Sequence, residues 1–173
     1  MTRLNYLAYG SNLFAPRLAA RITIRGVAGV VALPGYQLRF NKRGADGSGK
    51  CNLQACEHAL AYGVVYRIDS ADQPTLDRIE GVGHGYSVEV WRDVTRGECF
   101  FYHAQASALD DALQPFDWYH AYVLAGARQH DLPASYIAAI AAVPTRRDDN
   151  ASRRADNFES LARGFAAILP SQG

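Results

Sequence analysis

Strand-like segments occupy the chain from residue 4 to residue 104, and helical spacing takes over from residue 117. Strands first, with a few inserted helices and the remaining helices gathered late, do not build a regularly alternating doubly wound sheet; the order predicts an α+β fold. Residues 4–9 form a short apolar and aromatic run that Gly10 ends, the pattern of a first strand with a tight turn after it. Ser11 and Asn12 are helix-capping residue types, and Leu13, Leu18 and Ile22 follow at near-helical spacing. A short helix is therefore expected to open there, with Pro16 in its first turn. Residues 27–32, 36–40, 51–55 and 59–68 are rich in strand formers, and 41–50 reads as a polar loop between them. Ser70 or Asp72 caps a second helix that carries Leu76 and Ile79 inward and stops at Gly81, which leaves Glu80 at the helix C-terminus. Residues 86–91 and 98–104 alternate as strands do, and 117–129 is helical until Leu132 and Pro133 break it. A further helix turns Tyr136, Ile137, Ile140 and Val143 inward. A polar stretch, 145–156, then leads to a last amphipathic helix bearing Phe158, Leu161, Phe165 and Ile168.

With 173 residues, 49% of them hydrophobic, and no repeat or linker, the chain is expected to form one domain over residues 1–173. A net charge of +1, with charged residues spread along the chain, gives no field for duplex nucleic acid or a membrane surface, so a small-molecule partner is expected. No apolar run approaches the roughly 20 residues that cross a bilayer, and the first residues lack a signal-peptide pattern, so the cytoplasm is the expected location. Three cysteines, Cys51, Cys56 and Cys99, are an odd set in a chain large enough to fold without cross-links, and reduced thiols are expected.

Gly44, Gly49 and Lys50 fit the first seven places of the phosphate-cradling loop G-x-x-x-x-G-K-S/T. Cys51 stands at the magnesium-ligand place, however, and 51–54 read as a strand where that loop needs a helix N-terminus. The glycines are read instead as a hairpin loop or a lid over a substrate pocket. Cys51, Cys56 and His58 lack a second pair of ligands, and His84, His103, His120 and His130 are scattered, so no metal is expected. No G-x-S-x-G elbow is present, which disfavours a Ser–His–Asp hydrolase.

The segment Tyr6, Leu7, Ala8, Tyr9, Gly10, Ser11, Asn12, Leu13 passes from strand to helix through a turn. Such a turn aims several backbone N–H groups at one point, where a carboxylate gains hydrogen bonds and the helix dipole. Later come Ile79, Glu80, Gly81 and Val82, followed by Gly85 and Tyr86, and then a block from Tyr119 through Gly126 to Leu132 and Pro133. Together these resemble the γ-glutamylcyclotransferase family, with its Y-G-S-N-L signature, its E-G-V block and its late helix. The resemblance implies a small, mostly antiparallel or mixed β-sheet closing toward a barrel with surrounding helices. It implies cyclisation of a γ-glutamyl amide to 5-oxoproline and a free amine, without cofactor or metal. Glu80 inherits the role of general acid and base. Tyr6 to Leu13, Tyr86 and Tyr119 inherit contact with the γ-glutamyl substrate.

The interval from Glu80 to Tyr86 is one residue shorter than in the animal enzymes, and 41–50 departs as well, differences that bear on substrate choice. At the C-terminal end of a helix, among Tyr9, Tyr86 and Tyr119, Glu80 is expected to be disfavoured in its ionised form. Two other readings stay open: a non-catalytic binder of a glutamyl-like ligand, and an enzyme that removes a γ-glutamyl protecting group from a biosynthetic intermediate. The family contains dimers, so a homodimer is possible, and Trp118 suits an exposed interface or the core.

Overall fold

A computed structural model of the chain describes residues 2–168; Met1 and residues 169–173 of the expected domain lie outside the described residues. Two strands of unusual length dominate it: β2 (Ile24–Arg43) and β3 (Gly49–Asp69) pair antiparallel along their whole length, from Ile24 opposite Ile68 to Arg43 opposite Gly49. The four strand-like segments of the sequence are thus two strands, interrupted only by shifts of register such as those between Val27 and Gly29 and between Pro34 and Tyr36. The expected loop 41–50 shrinks to a turn at residues 44–48. Asn41 and Lys42 stay in β2 and are buried, and Ser48 in the turn is buried as well. Strand β1 (Arg3–Ala8) lies antiparallel to β3 and parallel to β5 (Gly97–Ala104), and β4 (Tyr86–Asp93) closes a hairpin with β5. The five-stranded mixed sheet runs β2-β3-β1-β5-β4, which bears out the α+β class.

The sheet does not close into a barrel; β2 and β4 remain its edges. It curls far enough for the β4–β5 turn to reach β2. There Arg96 Nε donates to the Ala28 carbonyl at 3.0 Å, a side chain occupying an acceptor that a closing strand would have used.

Helices flank one end of the sheet. After β1 the chain forms a 3₁₀ turn, Ser11–Leu13, and then α1 (Ala15–Ala19), rather than the single helix expected from Ser11. Neither Ser11 nor Asn12 caps it; both are buried and Pro16 opens α1. Helix α2 (Gln73–Glu80) buries Leu76, while Ile79 remains 42% exposed instead of turning inward. Helix α3 (Asp117–Gln129) has the bounds expected, and α4 (Ala134–Ala141) buries Ile140. The last helix, α5 (Ala151–Ile168), starts inside the expected polar stretch because Asn150 Oδ1 accepts the Arg153 N–H at 2.9 Å, an N-cap bond. Leu161 is its buried apolar residue, and Phe165 and Ile168 are about two-fifths exposed, although Phe165 lies 5.2 Å from the Phe14 ring. Among the described residues no helix is long and apolar enough to cross a membrane.

The turn after β1 is pinned from behind by α3. At Gly126 an added Cβ would lie 2.4 Å from both Leu13 Cβ and the Phe14 backbone nitrogen, so the helix approaches the turn as closely as it does only because that position has no side chain. Gly126→Ala is therefore expected to destabilise the protein by about 1–3 kcal/mol despite alanine's better helix propensity. Urea unfolding measures this, and a midpoint at or above that of the parent protein would show that the turn yields freely.

Candidate functional site

Gly10 brings the end of β1 against β3: a Cβ there would lie 3.0 Å from Cys51 Cβ and 3.3 Å from the Tyr119 hydroxyl. Over this contact sits a small cavity of about 30 Å³ lined by Tyr6, Tyr9, Gly10, Ser11, Asn12, Cys51, Glu80, Tyr86, Tyr102 and Tyr119. Beside it opens a wider cleft of about 850 Å³, and Ser11, Glu80, Tyr86 and Tyr119 line both. The remaining residues of the opening motif are placed otherwise. Leu7, Ala8 and Leu13 lie in the hydrophobic core: Leu7 is on the β1 face opposite Tyr6, and Leu13 is pressed under Gly126.

The tyrosines form a fixed polar lining. Tyr119 OH accepts the Cys51 N–H at 3.1 Å, Tyr86 OH donates to the Cys51 carbonyl, and Tyr9 OH donates to the Tyr102 carbonyl. Tyr102 OH in turn donates to Asp77 Oδ1 at 2.7 Å, tying β5 to the helix that carries Glu80. Burial pushes the hydroxyls of Tyr6, Tyr9, Tyr86 and Tyr119 well above the ordinary phenol range, so these groups stay neutral. Trp118 is in the core and not at the surface: it is buried, and its indole N–H donates to Asp148 at 2.8 Å.

Glu80 is the last residue of α2, which Gly81 terminates in the left-handed conformation (φ 76°, ψ 46°). Its carboxylate turns toward the β1 turn, where Oε1 accepts from Asn12 Nδ2 at 2.9 Å and from Arg21 at 2.8 Å. Arg21 also donates to Asn12 Oδ1 at 2.9 Å, and Asn12 Nδ2 donates to Tyr6 OH at 2.9 Å. To the groups that the sequence places around Glu80 the structure adds a guanidinium and an amide, both donating to its carboxylate. Arg21 was not anticipated. Its signal was present as Arg17 and Arg21 four residues apart, the spacing that puts two side chains on one helical face.

Lys42 and Lys50 reach the wider cleft from the facing ends of β2 and β3. Lys50 Nζ bonds Asp46 at 2.8 Å and Ser48 Oγ at 2.8 Å, and it lies 4.5 Å from the Tyr119 ring centroid. The residue after it continues a strand, so the lysine belongs to a cleft wall and not to a phosphate loop. His84 lines the cleft, whereas His130 bonds Tyr66 and His120 bonds the Ile140 carbonyl. The site thus offers backbone amides at a turn, one carboxylate held beside them, neutral hydroxyls and several cations.

Residues 61–140 match the AIG2-like family. Among curated proteins, none matches the chain. Among solved structures, a γ-glutamyl cyclotransferase superposes with a TM-score of 0.80 at 22% identity, covering 94% of this chain and 99% of the other. The uncharacterized protein loc79017 from Homo sapiens gives 0.79 at 22% identity, with the same coverage. YkqA from Bacillus subtilis gives 0.69 at 19% identity, over 84% of this chain and 57% of the other. At these identities the likeness establishes the fold, and together with the family match it agrees with the resemblance read from the motifs.

Burial raises the Cys51 thiol in the small cavity to about 12 and raises Cys99 as well, whereas Cys56 is exposed. At pH 8 a thiol of that acidity is ionised in about one molecule in ten thousand. Ellman's reagent is therefore expected to titrate one thiol rapidly in the native protein and all three after denaturation; a second fast thiol, if lost in Cys51→Ser, would show that the cavity opens.

Proposed function

We propose that this chain, with the fold of a γ-glutamyl cyclotransferase and an AIG2-like stretch at residues 61–140, cyclises γ-glutamyl amides to 5-oxoproline and a free amine. The observation that carries the reading is that Glu80 and the Gly10, Ser11, Asn12 turn line one cavity, with Asn12 bonded directly to the carboxylate.

The chemistry needs no external nucleophile. The substrate's α-amine attacks its own side-chain amide carbon, a five-membered lactam closes, and the amide C–N bond breaks. Fixing the α-carboxylate at the amides of the turn folds the glutamyl chain back on itself, and such intramolecular placement contributes up to about 7–11 kcal/mol of the barrier. Two protons leave the α-ammonium nitrogen, and the departing amine ends as an ammonium. A carboxylate between the two nitrogens relays them, first as base and then as acid. Glu80 is the carboxylate of the small cavity, and Arg21 and Asn12 hold it aimed before substrate arrives. The Tyr119 hydroxyl, neutral through burial and accepting from the Cys51 N–H, keeps its own proton to donate toward the amide oxygen as charge develops on it.

One feature favours a second reading within the same chemistry. The cleft beside the cavity is about 850 Å³, large enough for a leaving amine bigger than an amino acid, as removal of a γ-glutamyl protecting group would require.

The test is incubation with a panel of γ-glutamyl amino acids and γ-glutamylamines, with 5-oxoproline followed by mass spectrometry. A blank across the panel would leave a glutamyl-binding protein without turnover. Glu80→Gln is expected to keep the fold and substrate binding while lowering turnover at least about a hundredfold, the usual scale of acid–base catalysis. Near-normal turnover in the purified variant would remove Glu80 from the mechanism.

A further inference from the structure

Six cationic side chains line the wider cleft, Arg17, Arg21, Lys42, Arg43, Lys50 and Arg78, against two carboxylates, Asp46 and Glu80. Pairing accounts for three of them: Arg21 bonds Glu80, Lys50 bonds Asp46, and Arg43 reaches Asp110 outside the cleft. Arg78 makes only a long contact to the Thr75 hydroxyl at the surface. Arg17 and Lys42 are left, and among the described residues neither has an ion-pair partner.

Both are withdrawn from solvent. Lys42 is 6% exposed, with Nζ 4.4 Å from the Tyr86 ring centroid. Arg17 stacks its guanidinium 4.0 Å from the Tyr122 ring centroid, and its Nε is buried without a hydrogen-bond partner. Desolvation lowers the proton affinity of each, and the nearby Arg21 acts the same way on Arg17. Aromatic faces offset only part of the cost of burying a cation, and a buried donor without an acceptor adds to that cost. Two such cations in one cleft are a mould for negative charge.

Their place in the cleft fixes which part of a substrate meets them. Tyr86, under Lys42, and Tyr119, beside the Lys50 ammonium, belong to the wall shared with the small cavity. On the reading above the γ-glutamyl half lies where the small cavity meets the cleft, against Glu80 and the Gly10 turn, so the group on the far side of the scissile amide extends into the cleft. We propose that Arg17 and Lys42 form an anion subsite for the leaving half of the substrate, so that the amine released carries an acidic group. This rests on the cyclotransferase reading for the identity of the leaving half, and on the unpaired cations alone for the subsite.

The experiment compares γ-glutamyl-β-alanine, its primary carboxamide, a length-matched γ-glutamyl amide ending in an ammonium, and one ending in a phosphonate. For the wild-type protein, kcat/KM is expected to be about tenfold or more higher for the acids than for the carboxamide, and lowest for the ammonium compound. The order of carboxylate and phosphonate identifies the acid preferred. Arg17→Gln and Lys42→Gln are each expected to bring the acids down toward the carboxamide, mainly through KM; if one variant fails to fold, the other carries the comparison. Equal wild-type values for acid and carboxamide, or an acid preference that survives both substitutions, would overturn the subsite. If no compound is cyclised, the cyclotransferase reading fails, and calorimetric binding of the same four compounds decides the subsite. Tighter binding of the acids, lost in Arg17→Gln, sustains it, and equal affinities overturn it.

Discussion

The side chain of Asn12 is the joint on which the site depends. It is buried, and all of its polar atoms are engaged: Nδ2 donates to Tyr6 OH on β1 and to Glu80 at the end of α2, and Oδ1 accepts from Arg21 just beyond α1. A carboxamide is the one small side chain that both donates and accepts in this way, and an aspartate in its place would face Glu80 with like charge. Because the joint is buried, each bond left unmade would carry a desolvation penalty, so strand, turn and helix are held in one arrangement. Gly10 and Gly126 serve the same end from the other two sides, letting β3 and α3 come against the turn that presents Asn12.

How much of this was legible depended on whether the information was local. The first strand, its glycine stop, the end of α2 at Gly81 and the bounds of α3 follow from residues within a few positions of each other, and the structure has them where the sequence puts them. The inward polar ends of β2 and β3 were misread as a loop for a definite reason. Asn41, Lys42, Ser48 and Lys50 look like exposed residues by type, but Lys42 and Lys50 line a polar cleft while Asn41 and Ser48 are buried in bonds to Asp111 and Asp46, and composition does not distinguish polarity that faces water from polarity that faces a site. The start of α5 was missed by the same confusion, since its polar residues are a cap and its first turn. That the sheet stays open was out of reach because its two edges meet only through long-range contacts of Arg96 with the Ala28 and Val30 carbonyls.

For the candidate site the division is similar. The turn at Gly10 and the carboxylate at Glu80 stand out as short motifs. That they share a cavity depends on a contact spanning 68 positions, which no local pattern encodes. Arg17 and Arg21 were visible only as a helical spacing without a stated partner, and the lysines of β2 and β3 were set aside with the loop. The electrostatic character of the cleft was therefore the part least readable from sequence, because pairing decides which of its charges are free.

Under the proposed cyclisation, that pairing also bears on how a carboxylate bonded to an arginine would serve as a base. Arg21 and Glu80 are each about one-fifth exposed, a depth at which an ion pair contributes little net stability, since desolvation offsets most of the Coulomb gain. Its value lies in position instead. The pair uses Oε1, to which both Arg21 and Asn12 donate, and Oε2 is the atom left to meet an incoming ammonium. In the proposed reaction, proton relay through Oε2 would leave the Arg21 and Asn12 bonds in place, so that the carboxylate keeps its aim while its charge changes. A site that works by folding a substrate onto itself needs that constancy more than it needs a strong base, because the reaction's advantage is geometric and is lost when the groups that hold the two ends drift apart.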